Sequence, residues 1–305
     1  MPAAAAYHTP VLATEVVELL RGAARVLDGT LGGGGHSEAL LEAGVGQVIG
    51  VDRDPEAVAA ARARLDAFAR AGRFEAHVGN YADVAGTVAG HPFDGALLDL
   101  GVSSHQFDDV ERGFTFREGA PLDMRMGDAV RSAADLLNSA DEDQIAAVFK
   151  DFGDERRARR LAATIVHRRA KAPFATADDL VKAIRATLGP RSGPPDFARL
   201  FQAVRIAVND EIGSLVRALP ALRDRLTSGG VLAVITYHSG EDRVVKHAFR
   251  EWSADCVCPQ RQPRCTCRGH ALGDTITRRA IVPTGAETQR NPRARSAKLR
   301  AWRKA

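Results

Sequence analysis

The chain has 305 residues, of which 45% are hydrophobic and 26% are charged, so it is long enough for one large or two modest domains with real cores. It contains no run approaching the ~20 apolar residues of a membrane span, and its first residues lack the charged and apolar regions of a secretory signal. We therefore expect a soluble cytoplasmic protein with no membrane partner.

The net charge of +4 conceals an uneven distribution of charge. Residues 1–100 hold 7 Lys or Arg and 13 Asp or Glu, whereas residues 154–191 hold 10 and 4, and residues 278–305 hold 9 and 1. An acidic half beside two basic segments is typical of a protein with a polyanionic partner, most simply nucleic acid. The alternative from charge alone is a solvated helix face and a disordered tail.

Two apolar runs separated by a block of glycines are the most informative pattern. Arg25–Asp28 ends in an acid, glycines follow through Gly35, and Gln47–Asp52 ends in another acid. Strand, glycine turn, helix, strand and acid in this order predict the first unit of a doubly wound nucleotide-binding sheet. We expect the Asp52 carboxylate to accept both hydroxyls of a ribose.

The same glycines bear on the class of cofactor. In the dinucleotide pattern G-x-G-x-x-G, the third glycine position is Ser37 or Glu38 here. Because that glycine is missing and Asp28 enters the turn, the loop suits an adenosyl ligand with an amino-acid tail better than a pyrophosphate. A nicotinamide dehydrogenase is thus least favoured. The alternative to cofactor binding is that the glycines form an ordinary turn between a strand and a helix.

A long interval separates two of the predicted strands. Phe93–Asp99 is typical of a buried strand, but the next convincing one, Gly230–Tyr237, starts about 130 residues later, whereas a crossover needs only about a dozen. The interval has helical periodicity. We predict a helical domain at 120–210, inserted between a first part of the sheet domain at 1–119 and a second part at 211–305.

Shorter patterns complete the predicted elements. Phe74–Val78 predicts a strand and Asp242–Trp252 a helix, and Thr275–Val282 predicts one more strand. Segment 139–142 has the pattern of a helix capping box. The basic tail beginning at Asn291 is expected to be extended near its start.

The chain's four cysteines form the pattern Cys256-x-Cys258 and Cys265-x-Cys267. Four thiolates in a short loop match a structural tetrahedral zinc site, although C-x-C is less usual than C-x-x-C. Reduced free thiols are the next alternative, and disulfides fit a cytoplasmic protein least. We expect no catalytic metal.

Several longer motifs resemble one bacterial family closely. They include Gly29–Ser37, Leu97–Ser104, His238–Arg243 and Asn291–Ser296, within a similarity that runs from Tyr7 to the tail. The chain is similar to the MraW family of ribosomal RNA methyltransferases. The resemblance implies a Rossmann-like α/β sheet of the S-adenosyl-L-methionine-dependent methyltransferases with an inserted helical domain. It also implies methyl transfer from S-adenosyl-L-methionine to N4 of a cytidine in the decoding region of 16S ribosomal RNA.

The resemblance also implies which residues contact the cofactor. Carried to matching positions, the family's contacts are Gly33, Gly34, Gly35, His36, Asp52, Tyr81, Asp99 and Gln106. The chain departs from the family at Tyr81 and Tyr237, which replace usual phenylalanines, and at Gly240, which replaces a usual leucine. Either aromatic ring at position 81 suits packing on adenine.

The acceptor nitrogen sets the chemical problem of the implied reaction. Its lone pair is delocalised into the ring, and groups that accept the amine hydrogens help to localise it. The Asp/Asn/Ser-Pro-Pro-aromatic pattern of many amino-methyltransferases is absent after Asp99. We expect Asp99 to share the N4 contact with Ser103, Ser104 or His238. The alternatives are that the serines only form a turn and that His238 is a hydrogen-bonded structural histidine.

The target base must leave its stack to reach such a site, so a flipped or single-stranded cytidine is expected. Basic side chains are predicted to hold phosphates of 16S rRNA within the small ribosomal subunit. They are Arg156, Arg157, Arg159, Arg160, Arg293, Arg295, Lys298 and Arg300. We expect a monomer or a homodimer.

Two further functions remain open from the sequence. One is a methyltransferase that acts on another acceptor, a DNA amino group or a protein. The other is a non-catalytic RNA-binding assembly factor that keeps the fold as a scaffold. The intact glycines, Asp52 and Asp99 argue against a loss of catalysis.

Overall fold

The computed structural model describes residues 10–83, 88, 90, 92–102, 109–127, 129–259, 262 and 264–305. The chain divides into two compact units. The first unit joins the residues up to Gly101 with Ile212–Ala305, and the second is Val102–Glu211.

A seven-stranded sheet forms the centre of the first unit. Its strands are β1 Arg25–Asp28, β2 Gln47–Asp52, β3 Phe74–Val78, β4 Phe93–Asp99, β5 Leu226–Thr236, β6 Gly273–Thr275 and β7 Lys298–Lys304. The order across the sheet is β3-β2-β1-β4-β5-β7-β6; β1 to β5 are parallel, and β7 is antiparallel to both its neighbours. The order reverses between β1 and β4, where crevices for ligands form at the carboxyl ends of strands. The predicted Rossmann-like α/β fold is confirmed.

Both faces of this sheet are covered by apolar side chains, as is usual for parallel strands. Successive residues of a strand point to opposite faces. Val26 and Leu97 therefore join one apolar cluster, while Leu27 and Leu98 join another, and all four are fully buried. This two-sided burial explains why the strands read as continuous apolar runs.

Local sequence determines where the helices begin. Asp54 caps α3 by accepting from the Glu56 N–H, and Pro55 occupies the first helical position. The helices described are α1 Ala13–Leu20, α2 Gly35–Glu42, α3 Pro55–Arg64, α4 Asp66–Arg70, α5 Ala133–Ser139, α6 Glu142–Asp151, α7 Ala158–Arg169, α8 Ala177–Leu188, α9 Pro194–Asn209, α10 Glu211–Arg225, α11 Ser239–Trp252 and α12 Gly285–Arg290. Within the described residues, none of the helices has both the length and the apolar character needed to cross a membrane.

The second unit has its own hydrophobic core, formed by helices α5 to α9. Phe149, Leu161 and Leu180 are fully buried in it. Phe114 and Leu122, which precede the first of these helices, pack in the same core. For this reason the unit begins at Val102, earlier than the boundary at 120 that the sequence suggests.

The capping box that the sequence suggests at 139–142 lies elsewhere. Asp141 is the cap of α6, and it exchanges hydrogen bonds with Gln144, whose side chain reaches back to the Asp141 N–H. Ser139 instead ends α5 and donates to the Asp135 carbonyl. Asp141 and Gln144 have the same three-residue spacing as Ser139 and Glu142, and α6 starts at the first of these pairs because α5 still includes Ser139.

The basic tail begins with a short 3₁₀ helix, Pro292–Ser296, and not with the extended segment that the sequence suggests, and its last residues are part of the sheet. β7 lies between β5 and β6, and Leu299, Ala301 and Trp302 are fully buried. The predicted strand at 275–282 is also different: β6 ends at Thr275, and only a single bridge joins Ile281 to Leu299. Both ends of this segment lie beside β7: Thr275 pairs with Trp302, and Ile281 pairs with Leu299.

Candidate active site

Three carboxylates stand at the ends of three adjacent strands. Asp28 ends β1, Asp52 ends β2 and Asp99 ends β4. The sheet order places these strands side by side as β2-β1-β4. The three side chains nevertheless have different partners, and these partners separate a structural acid from two acids that a ligand can reach.

Asp28 fixes the glycine turn from inside. Its side chain is 1% exposed; Oδ2 accepts from the Ser37 hydroxyl at 2.7 Å, and Oδ1 accepts from the Thr30 N–H at 3.3 Å. Burial raises the pKa of this carboxyl above its usual value, against the charge of His36 and these hydrogen bonds. Asp28 therefore holds the turn and offers no surface to a ligand.

Asp52 also binds the turn but remains partly exposed. Its Oδ2 accepts from the Gly32 N–H at 2.8 Å, and its Oδ1 accepts from the Asp54 N–H at 2.9 Å. Burial raises its pKa to about 6, although these two hydrogen bonds oppose the shift. Because each carboxylate oxygen has a second lone pair, Asp52 retains capacity to accept from hydroxyl groups.

The glycine turn is packed on one side and open on the other. Gly32 and Gly34 have φ of 50° and 80°, the left-handed region that glycine adopts at little cost. A Cβ on Gly34 would lie 3.2 Å from the Ala61 Cβ, so the turn rests against α3 there. A Cβ on Gly32 would meet no atom within 4 Å. Gly33, Gly34 and Gly35, predicted to bind the cofactor, lie at the start of α2; Gly34 is buried, whereas Gly33 and Gly35 are partly exposed.

Asp99 has partners on both carboxylate oxygens and is still accessible. Oδ1 accepts from the Tyr237 hydroxyl at 2.8 Å, and Oδ2 lies 3.7 Å from His36 Nδ1. Its own N–H donates to the Thr30 hydroxyl at 2.6 Å. Burial raises the pKa of Asp99 to about 6, while His36 and the bond from Tyr237 act in the opposite direction. The side chain is 22% exposed, so a bound molecule can reach it.

His36 lies next to Asp99, with Nδ1 3.7 Å from Asp99 Oδ2. Its Nε2 lies 2.9 Å from the Val11 carbonyl oxygen, which only accepts hydrogen bonds, so Nε2 carries a hydrogen. Nδ1 then faces Asp99. His36 is 7% exposed, and its predicted contact with the cofactor stays a prediction.

His238 and Glu241 together begin α11. Glu241 is 2% exposed and accepts from the N–H groups of Tyr237 at 2.8 Å and His238 at 3.3 Å. His238 accepts at Nδ1 from the Glu241 N–H at 3.4 Å, and its Nε2 lies 3.2 Å from Glu241 Oε1. This reciprocal pattern is a capping box, so His238 has a structural role, and its catalytic role stays a prediction.

A cleft of about 300 Å³ adjoins this helix start. Its lining residues include Tyr237, His238, Arg295 and Lys298. The two basic side chains make it a place where an anion can bind next to Tyr237, the partner of Asp99.

The basic side chains predicted to bind RNA have different surroundings. Arg293 and Arg295 are exposed, whereas the Arg300 side chain is 13% exposed and its Nε donates to Asp242 at 2.7 Å. Lys298 lies 3.6 Å from the same carboxylate but is 44% exposed. Arg300 is therefore mainly a partner of Asp242.

In the second unit, the predicted basic residues flank the start of α7. All four are exposed, at positions 156, 157, 159 and 160. Arg157 also donates from Nη1 to the carbonyls of Thr187 and Leu188, at 3.4 and 3.2 Å, near the end of α8. Arg156, Arg159 and Arg160 present their charge on the surface of this unit.

Four predicted site residues remain: Tyr81, Ser103, Ser104 and Gln106. Tyr81 begins a short 3₁₀ helix after β3, and a Cβ on Gly29 would lie 3.1 Å from its Cβ. Ser103, Ser104 and Gln106 lie outside the described residues. Sequence reasoning missed the hydroxyl bond from Tyr237 to Asp99, which no local pattern encodes.

Comparisons with known proteins agree with this arrangement. The model of the MraW methylase family matches residues 5–305. A protein of Gemmatimonas aurantiaca named ribosomal RNA small subunit methyltransferase H is 65% identical over 98% of this chain and 96% of its own length. Proteins of the same name from Heliobacterium modesticaldum and Heliobacterium mobile are 46% and 47% identical, over 98% of this chain and over 98% and 99% of their own lengths.

These matches extend over nearly the whole chain and include both units. The predicted resemblance, the methylase class and the cofactor S-adenosyl-L-methionine are confirmed. The family match runs from residue 5 to residue 305. It therefore includes the sheet, the glycine turn and the accessible acids Asp52 and Asp99. This protein is a member of the MraW methylase family.

Proposed function

We propose that this protein transfers a methyl group from S-adenosyl-L-methionine to the exocyclic N4 of a cytidine in the decoding region of 16S ribosomal RNA, in the cytoplasm. The names of the full-length relatives support a ribosomal RNA of the small subunit as the substrate. The observation that carries the chemistry is Asp99, an accessible carboxylate at the end of β4 that accepts a hydrogen bond from the Tyr237 hydroxyl.

The residues around the glycine turn suit the proposed cofactor. Bound S-adenosyl-L-methionine supplies an electrophilic methyl carbon attached to a sulfonium sulfur. Asp52 has the remaining lone pairs to accept from the ribose hydroxyls, and the open side of Gly32 leaves room for the ligand. The ring of Tyr81, which follows β3, is proposed to pack on the adenine.

Asp99 is suited to assist the acceptor nitrogen. As the bond from N4 to the methyl carbon forms and the bond from carbon to sulfur breaks, N4 becomes positively charged and must lose one proton. A carboxylate that accepts an amine hydrogen localises the lone pair and then takes this proton. With a pKa of about 6, Asp99 is mostly ionised at neutral pH yet more basic than an exposed aspartate.

The Tyr237 hydroxyl positions Asp99 for this role by donating to Oδ1. This bond favours one orientation of the carboxylate, which methyl transfer in line with the breaking bond requires.

Basic surfaces are proposed to hold the RNA. Arg293 and Arg295 are exposed, and Lys298 lines the cleft beside Tyr237. Arg156, Arg159 and Arg160 offer further positive charge on the second unit, for which we propose a role in substrate recognition. Phosphate contacts of this kind make affinity fall steeply with salt.

The experiment that tests the proposal uses labelled S-adenosyl-L-methionine and small subunits from cells that lack the enzyme. After reaction, the RNA is digested and the methylated nucleosides are mapped. We expect label on N4 of a cytidine in the decoding region, and a loss of at least about 100-fold with Asp99→Asn, the size of effect typical of general acid–base groups.

The matched controls are free DNA and total cell protein under the same conditions. Label in either of them instead of in the RNA, or no label in the presence of small subunits, would contradict the proposal. Retention of S-adenosylhomocysteine binding by Asp99→Asn would show that the variant is folded.

A further inference from the structure

All four cysteines of the chain lie in the loop between α11 and β6, with their sulfurs within 4.8 Å of one another. The Sγ atoms of Cys256 and Cys265 are 3.8 Å apart, as are those of Cys256 and Cys267. The Cys258–Cys265 and Cys265–Cys267 distances are 3.9 and 3.4 Å. A tetrahedral metal with bonds of about 2.3 Å holds its sulfur ligands about 3.8 Å apart. The four sulfurs thus surround one centre.

Backbone N–H groups support this cluster in a symmetric way. The Val257 N–H donates to Cys267 Sγ at 3.4 Å, and the Thr266 N–H donates to Cys258 Sγ at 3.4 Å. Each donor stands between the two cysteines of one C-x-C pair and bonds the second cysteine of the other pair. Such donors orient metal ligands and stabilise the charge on thiolates.

Hydrophobic packing does not account for the arrangement. Cys256 and Cys265 are exposed, and Cys258 and Cys267 are only partly buried, whereas free cysteine is usually among the most buried residue types. From Ser253 to Leu272 none of the described residues is buried. A loop with no core of its own requires another source of order.

The stem of the loop is fixed to the sheet domain. The Arg268 guanidinium donates to the carbonyls of Glu251 and Ala254, and the Leu272 N–H donates to the Trp252 carbonyl at 2.8 Å. The loop therefore starts and ends at defined places, and the sulfur cluster lies between them.

We propose that Cys256, Cys258, Cys265 and Cys267 bind one structural Zn²⁺ ion. Four soft thiolates exclude Mg²⁺ and Ca²⁺, and they leave no open position for a catalytic water. Four thiolates on a divalent cation have two excess negative charges, and the N–H groups of Val257 and Thr266 that donate to two of the sulfurs help to stabilise them.

The test measures metal and thiols in the wild-type protein purified without chelators from zinc-supplemented cells. We expect one zinc per chain and negligible iron by elemental analysis. A thiol reagent should detect none of the four cysteines before treatment with a strong chelator and all four afterwards, with the zinc released in parallel. Because the chain has no other cysteine, the thiol count reports on this loop alone.

Two variants complete the experiment. Cys267→Ser should lose the zinc, whereas Thr266→Ala, which keeps the backbone donor to Cys258, should retain it. The proposal is overturned by a zinc-free protein with four reactive thiols, or by iron in place of zinc. Thiols that become reactive only after a reductant, which would indicate disulfides, overturn it too. None of these readouts involves methyl transfer, so they are independent of the proposed function.

Discussion

The Tyr237 hydroxyl donates to Asp99 Oδ1 at 2.8 Å, although the two residues are 138 positions apart in the chain. The register of β4 and β5 makes this contact: Asp99 pairs with Ile235, and Tyr237 follows just beyond the end of β5. The hydroxyl lowers the pKa of Asp99, while burial and then the carboxylate raise the pKa of Tyr237 well above its usual value. The bond therefore has a tyrosine that stays protonated as its donor.

We predict that Tyr237→Phe shifts the acidic limb of the pH dependence of kcat/KM to higher pH. The wild-type limb should have its midpoint at about 6, where Asp99 ionises in the free enzyme. Loss of a hydrogen bond to a charged group, about 1.5–3 kcal/mol, corresponds to roughly one to two pKa units upward. Tyr81→Phe is the matched control and should leave the midpoint in place. Identical midpoints in all three proteins would count against the role of this bond.

Stability should also depend on pH through Asp99. Its pKa is raised from 3.8 to about 6 in the folded state, so ionisation opposes folding. The stabilising protonated form is fully present below about pH 4, and its contribution is lost as the pH rises through about 6. Asp99→Asn cannot ionise, so it should be more stable than the wild type at about pH 8, by up to about 3 kcal/mol.

The measurement is the Tm of the two proteins without cofactor across this pH range. The advantage of Asp99→Asn should vanish near pH 4. Asp52, whose pKa is raised in the same direction, contributes equally to both proteins and cancels. A Tm difference that does not change with pH would refute the prediction.

Ser37→Ala should destabilise the glycine turn. The Ser37 hydroxyl donates to the buried Asp28 carboxylate at 2.7 Å, and its loss leaves a buried acid short of a partner. Such a loss costs about 1–3 kcal/mol, which denaturant unfolding would measure. The exposed Ser228, changed to alanine as a control, should alter stability by less than about 0.5 kcal/mol. Equal effects of the two changes would argue against the bond to Asp28.

Two arginines of the basic tail should behave differently. Arg295→Ala should weaken RNA binding and reduce the slope of log K against log salt by about 1, with little change in Tm, because the side chain is exposed. Arg300→Ala should instead lower the Tm, because the partly buried Asp242 loses the guanidinium that donates to it. Binding titrations at several salt concentrations and thermal unfolding separate the two roles. Equal loss of RNA affinity with unchanged Tm in both variants would show that Arg300 also serves the RNA.

Local patterns were sufficient for the glycine turn and the strand ends. The positions of Asp52 and Asp99 at strand ends could be predicted because each follows an apolar run, and such a run is recognised from the local sequence alone. The contact between Tyr237 and Asp99 could not be predicted, because it depends on the pairing of strands separated by the second unit. The four residues from His238 to Glu241 do contain a local capping signal, and the structural role of His238 follows from it.

Charge concealed β7. Its lysines and arginines indicate a solvated tail, but Leu299 and Ala301 alternate with them and fill one face of the sheet. Long basic side chains tolerate this position because they extend to the surface. The available signal for a strand was the alternation of apolar and basic residues within this segment. The signal was weak because the segment is only seven residues long.

The late position of β7 in the chain has a consequence for synthesis on the ribosome. β5 is complete at Thr236, but the strand that covers its edge begins only at Lys298. In the interval, a nascent chain that already contains Asp99 and Tyr237 exposes a row of unpaired N–H and C=O groups along β5, a template for pairing with another nascent chain. Translation that stalls in the cysteine loop would therefore produce an aggregation-prone polypeptide. It would contain every proposed catalytic side chain but lack the strand that completes the sheet around them.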